Sequence, residues 1–172
     1  GLVGSEMCIR DSSWKDKGLF RLSVPEFQPE LCTGCLECTL VCPDAAIPNT
    51  LHEIHDLMNT SLETLKLSQR QREHLQRFLL PLVQGIREEL RNSGSNIGFA
   101  EAAAKALDQM EDLKPQFRKQ LSEILSHLSS FPLARTRTFY DSTEQKNPCS
   151  GVMYSVVIDP WKCTGCAVPE YW

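Results

Sequence analysis

Between residues 32 and 43 the chain reads Cys32-Thr-Gly-Cys35-Leu-Glu-Cys38-Thr-Leu-Val-Cys42-Pro43, four cysteines at C-x2-C-x2-C-x3-C spacing closed by a proline. No other feature narrows the possible folds as far. Two-residue spacings let three thiolates of one tight loop converge on three irons of a cubane, while intervening amide N–H groups can point at sulfur and spread its charge. Gly34 suits a backbone that must approach such a centre closely or take positive φ. The fourth cysteine stands just before a proline that turns the chain away, and in this pattern it belongs to the other cluster of a two-cluster domain. A partner motif is therefore demanded.

The partner begins at Cys163-Thr-Gly-Cys166, which repeats the C-T-G-C of residues 32–35 after a β-rich run, Tyr154 to Ile158, ended by Asp159-Pro160. Such a duplication is what bacterial two-cluster ferredoxins have. Here the repeat departs from the pattern: position 169, where a cysteine is expected, is Pro169, and the next expected position, 173, lies past Trp172. A damaged reading frame or an early stop would account for this. Zinc is the competing metal, since Cys32, Cys35, Cys163 and Cys166 alone would make a tetrahedral site, but zinc leaves Cys38 and Cys42-Pro43 unexplained. Cys149, in Asn-Pro-Cys-Ser-Gly, fits neither motif and is read as an unliganded loop cysteine. His52 and His55 are read as solvated helix residues, and His74 and His127 stand alone in sequence. Neither a G-x-G-x-x-G run nor a phosphate-binding Walker loop occurs, so the stretch is expected to carry electrons and to hold no catalytic centre.

Away from the cysteines the chain divides by period. Residues 1–12 follow none, and one back-translation of Glu6 to Asp11, GAG ATG TGT ATA AGA GAC, resembles a transposon mosaic end used in sequencing libraries; the segment, Cys8 included, is read as an adapter-derived artefact. Residues 13–48 are loop-rich, punctuated by Pro25, Pro29, Pro43 and Pro48, and form the first half of a ferredoxin-like domain. From 49 to 130 the period is helical. Thr50 with Glu53 fits a capping box ahead of Leu51, Ile54, Leu57, Met58, Leu62 and Leu65. A second helix carries Leu75, Phe78, Leu79, Leu82, Ile86 and Leu90 on one face, with Pro81 expected to kink or restart it. Ser93 to Asn96 reads as a turn, 99–111 as a third helix, and Pro115 as the first turn of a fourth with Phe117, Leu121, Ile124, Leu125 and Leu128 inward. Residues 131–151 read as an irregular connector, and 152–172 as a truncated second half of the ferredoxin-like domain. The fold class expected is α+β, a small two-cluster ferredoxin-like subdomain interrupted by a mainly α-helical insertion.

Composition removes other classes. Eighteen basic against 22 acidic residues give a net charge of -4, which provides no cationic excess for phosphate backbones, so nucleic acid is not expected as a partner. No apolar run approaches the roughly 18–20 residues that cross a bilayer, so no membrane is expected and a cytoplasmic location is. Eight cysteines in 172 residues fall short of the roughly 8–10% of a disulfide scaffold, and their clustering points to metal.

The run from Pro25 through the cysteines to Ile47, followed by Pro-Asn-Thr-Leu-His-Glu-Ile-His-Asp-Leu, resembles the ferredoxin-type segment of pyruvate:ferredoxin (flavodoxin) oxidoreductases and related 2-oxoacid:acceptor oxidoreductases. Val157-Ile-Asp-Pro-Trp-Lys-Cys-Thr-Gly-Cys166 is similar to the same family's second cluster motif. The resemblance implies two 4Fe-4S clusters, one held by Cys32, Cys35 and Cys38, the other by Cys42 with Cys163 and Cys166. Each set then has three thiolates in the chain as written, and low, labile iron occupancy is expected. It further implies thiamine diphosphate, magnesium and coenzyme A sites on parts of the polypeptide not present here. The implied partners are the rest of the parent oxidoreductase and ferredoxin or flavodoxin as electron acceptor. The insertion would dock the cluster domain on the rest of the enzyme through exposed amphipathic faces, or form a self-contained bundle. A stand-alone ferredoxin-like carrier or a regulatory 4Fe-4S binding protein is the alternative.

Overall fold

A computed structural model describes residues 23–93, 97–110 and 113–166, so the adapter-like segment 1–12, most of the 93–96 turn and Pro169 lie outside the described residues. The chain divides into two units. The smaller comprises, of the described residues, 23–27, 35–50 and 156–166; the larger comprises 28–34, 51–93, 97–110 and 113–155. Helix predominates, with one two-stranded sheet, an α+β mixture.

The smaller unit holds the short helix α1 (Glu37–Val41) and the first half of strand β1 (Asn49–His52). Strand β1 pairs with β2 (Met153–Val156), whose four residues are all buried. The pairing overrides the helix expected from Asn49. Thr50 and Leu51 are strand residues, Leu51 is exposed, and the Thr50–Glu53 capping box does not form; Glu53 caps the next helix without a side-chain hydrogen bond. Local period carried no information about a strand partner some 100 residues later in the chain.

In the larger unit, α2 (Ile54–Thr64), α3 (Gln69–Asn92), α4 (Phe99–Asp108) and α5 (Pro115–Ser129) form a bundle. Helix α3 packs on α2 and α4, and α5 on α2 and α4. Ser68 and Gln71 make a reciprocal capping box at the start of α3, and Pro115 opens α5 at a position where a missing N–H costs nothing. Ile54, Met58, Leu62, Leu75, Leu79, Leu82, Ile86, Leu90, Leu121 and Ile124 are fully buried, each such side chain contributing about 1.5–3 kcal/mol by leaving water. Pro81 does not restart the helix: α3 runs from Gln69 to Asn92 with the proline on its exposed side. Gly85 permits the close crossing of α3 and α4, because a Cβ there would stand 3.2 Å from that of Ala106. The buried apolar faces of the four helices are turned on one another. Among the described residues no helix is long and apolar enough to cross a membrane.

Residues 131–151, read from the sequence as a connector, hold a β-bridge, a π turn and a short helix, with Leu133, Ala134, Thr136, Tyr140, Glu144 and Gly151 buried. Ala134 exchanges backbone hydrogen bonds with Tyr154 at 2.7 and 2.9 Å. Residues Arg137–Asp141 form a π turn, in which the Asp141 and Ser142 amides donate to the carbonyls of Thr136 and Arg137, and α6 (Ser142–Lys146) follows. Its side chains are tied to α3 by charge. Arg87, buried in α3, donates to Glu144 Oε2 at 2.9 Å and to the Gly151 carbonyl at 3.1 Å; Arg91 donates to Glu144 Oε1 at 3.2 Å. Glu144 also accepts from the amides of Cys149 at 3.0 Å and Gly151 at 2.8 Å. No hydrophobic period marks this segment because polar pairs, invisible to periodicity, anchor it.

Candidate metal centre

Both C-T-G-C loops take the same local shape at their third residue. Gly34 has φ +74° and Gly165 φ +68°, the left-handed region that L side chains avoid. Gly34 is also hemmed in, since an added Cβ would lie 3.1 Å from Thr136 Cβ, so the close approach expected at this glycine is realised against a protein side chain. Leu36, next after Cys35, is left-handed too at φ 67° and caps α1, which carries Cys38. Cys32 follows a 3-10 turn over Pro29–Leu31 and its amide donates to the Pro29 carbonyl at 3.3 Å.

The second half of the motif is built within the smaller unit. Strand β2 continues into Val157 and Asp159, whose amides donate to the carbonyls of Pro48 (3.0 Å) and Ala46 (2.7 Å). Asp159 then makes the turn expected of Asp-Pro: its carbonyl accepts from Lys162 and Cys163, and its carboxylate from the Trp161 amide at 2.9 Å. Beyond the turn, Thr164 Oγ1 donates to Asp44 Oδ2 at 2.7 Å across 120 residues of sequence. Asp44 is two residues after Cys42, and Thr164 stands between Cys163 and Cys166. The Ala46 amide donates to Cys42 Sγ at 3.3 Å, the kind of contact that stabilises a thiolate. Cys163 is buried; Cys32, Cys38 and Cys42 are half-buried; Cys35 and Cys166 are exposed.

These residues fit an iron-sulfur group by donor chemistry. Cys32, Cys35, Cys38, Cys42, Cys163 and Cys166 are all outside disulfides, the two C-T-G-C loops turn at Gly34 and Gly165, and an amide is already directed at one sulfur. Among the described residues, no three His, Cys, Asp or Glu side chains are gathered at ion-binding distance. Cys149 is a free, exposed cysteine with φ 68°, and its amide serves Glu144. The Asn59 side-chain amide nitrogen lies within hydrogen-bond distance of both His55 ring nitrogens, 3.1 and 3.3 Å, His52 meets Phe131 edge-on at 5.6 Å, and His74 lies against Phe78 and Phe117. His52 belongs to β1, a strand residue where a helix residue was expected. The pairing of Asp44 with Thr164 was not read from the sequence. Its only trace there is a side-chain acceptor just past Cys-Pro and a hydroxyl inside the repeated C-T-G-C.

Residues 24–47 match the 4Fe-4S binding domain family. Over 107 residues the chain is 32% identical to the pyruvate-flavodoxin oxidoreductase of Klebsiella pneumoniae, a match covering 61% of this chain and 8% of that protein. No solved structure matches the chain.

Proposed function

We propose that this chain is the iron-sulfur electron-transfer segment of a thiamine-diphosphate-dependent 2-oxoacid:ferredoxin or flavodoxin oxidoreductase, acting on pyruvate in the cytoplasm. The rest of that oxidoreductase would carry the thiamine diphosphate, magnesium and coenzyme A sites. The observation that carries the reading is the Thr164–Asp44 hydrogen bond. With the Asp159–Ala46 backbone bond it holds the exit from Cys42 beside the loop of Cys163 and Cys166. A two-cluster ferredoxin motif requires that juxtaposition, because its fourth cysteine serves the second cluster.

On this reading Cys32, Cys35 and Cys38 are ligands of one 4Fe-4S cluster, and Cys42, Cys163 and Cys166 of the other, in a ferredoxin-like subdomain assembled from the two halves of the chain. Such a cluster, when bound, supplies one-electron transfer to ferredoxin or flavodoxin. The protein's part is to hold the thiolates. Gly34 and Gly165 let the loops turn without strain, the Ala46 N–H offsets negative charge at Cys42, and the Asp44–Thr164 bond ties the chain after Cys42 to the loop of Cys163 and Cys166.

The test is anaerobic reconstitution with iron and sulfide, followed by metal and sulfide analysis and electron paramagnetic resonance of the reduced and oxidised protein. Stoichiometric sulfide and iron-sulfur resonances, each diminished by Cys35→Ala or Cys163→Ala, are expected. Tight binding of one zinc with no acid-labile sulfide would overturn the reading in favour of a structural zinc site.

A further inference from the structure

The larger unit contains a cavity of about 750 Å³ beside the π turn, within the size range of small-molecule sites. Arg91, Arg135, Arg137, Tyr140, Ser142 and Gln145 line it. Its charge is out of keeping with the chain, whose net charge is -4. Arg91, Arg135 and Arg137 line the cavity beside two carboxylates, Asp141 and Glu144.

We propose that this cavity binds a small organic molecule by an oxyanion head, a carboxylate or a phosphate, received by the guanidiniums of Arg91 and Arg137 beside the Asp141-paired Arg135. Arg135 is fixed in the cavity wall. Its Nε and Nη2 hold Asp141 at 2.9 and 2.7 Å, its Nη1 reaches the Leu90 carbonyl at 2.6 Å, and its side chain is only 11% exposed. Arg91 is steered by Glu144 yet remains 56% exposed at its side chain. Arg137 is exposed and makes no ion pair with any described acidic residue. A planar fork of donors of this kind matches carboxylate and phosphate oxygens, and bonds to ionised acceptors are the strong ones.

Two further features belong to the same wall. The π turn that supplies Arg137, Tyr140 and Asp141 is a rare conformation that recurs at functional sites. The Tyr140 hydroxyl is buried without a hydrogen-bond partner among the described residues, and burial pushes its pKa up to about 12, so it remains a proton donor.

The experiment is calorimetric titration of the full chain with inorganic phosphate and, separately, succinate, at ionic strength held constant with chloride. Saturable binding of at least one ion, with Kd below about 1 mM, is expected; the tighter of the two identifies the head. Arg137→Ala should weaken it about tenfold and Arg137→Lys less, the fold being checked by circular dichroism. Arg77→Ala removes the same charge from an exposed position about 21 Å along α3 from Arg91, and should leave binding unchanged. Absence of saturable binding by either ion overturns the proposal. So does an equal loss in Arg77→Ala, which would indicate general attraction of anions to the chain.

Discussion

At the scale of single residues, the most consequential group in the larger unit is Glu144. Burial alone would raise its carboxyl pKa, but hydrogen bonds from the Gly151 and Cys149 amides, with the Arg87 charge and the Arg91 bond, outweigh it and hold the pKa below the ordinary value of 4.5. A carboxyl whose folded pKa is depressed contributes stability that is present above its unfolded value and lost as pH falls through the folded one. Acid unfolding should therefore be partly a titration of Glu144, and Glu144→Gln should flatten the decline in stability below about pH 4.5. The same substitution leaves Arg87 buried without a counter-charge and should cost about 3–5 kcal/mol at neutral pH by urea denaturation. In the smaller unit, Thr164→Val removes the donor to Asp44 and should lower the iron retained after anaerobic desalting, whereas Thr164→Ser, which keeps the hydroxyl, should retain it. Equal iron retention by Val and Ser would show that the bond does not position the second set of thiolates.

At the scale of elements, α3 shows how tertiary packing overrules a local signal. Proline inside a helix removes a bond to the carbonyl four residues back and crowds it, at a cost of about 3 kcal/mol. Pro81 sits on the exposed side, so Leu79, Leu82, Val83, Ile86 and Leu90 stay buried through it, and that apolar seam keeps the helix whole. Pro81→Ala should raise stability by about 1–3 kcal/mol, read as a higher midpoint in thermal unfolding, since it restores the donor without touching the core. Strand β1 shows the reverse case, in which four residues of good helical pattern become a strand because β2 offers backbone partners. Residues 131–151 show a third, an element set by the Arg87–Glu144 and Arg135–Asp141 pairs where no apolar repeat exists.

At the scale of the molecule, the two units differ in how much apolar core each buries. The larger has a continuous apolar core running from Ile54 to Met153, whereas the smaller buries Ala46, Ile47, Val156 and Cys163. Small sites with few core residues take folding free energy from their metal. Hydrogen exchange with and without reconstituted iron should therefore change chiefly in 35–50 and 156–166, while amides of α3 and α5 keep their protection; uniform change across both units would count against that dependence. Pro169 stands where the repeat calls for a cysteine, so on the proposed ligand assignment the second cluster has three thiolates, Cys42, Cys163 and Cys166, and iron should stay below the about eight per chain of two complete cubanes. What the sequence by itself determined is the chemistry: cysteine spacing is a one-dimensional record of how a loop wraps a metal, and helical period is a record of which faces are buried. What only the tertiary structure decided is whatever depends on residues far apart in the chain: the β1–β2 pairing, the Asp44–Thr164 bond, the charged anchors of 131–151 and the arginine-lined cavity beside them. Hydrogen bonds and ion pairs form wherever the fold brings donor to acceptor, and they leave no period in the sequence to announce them.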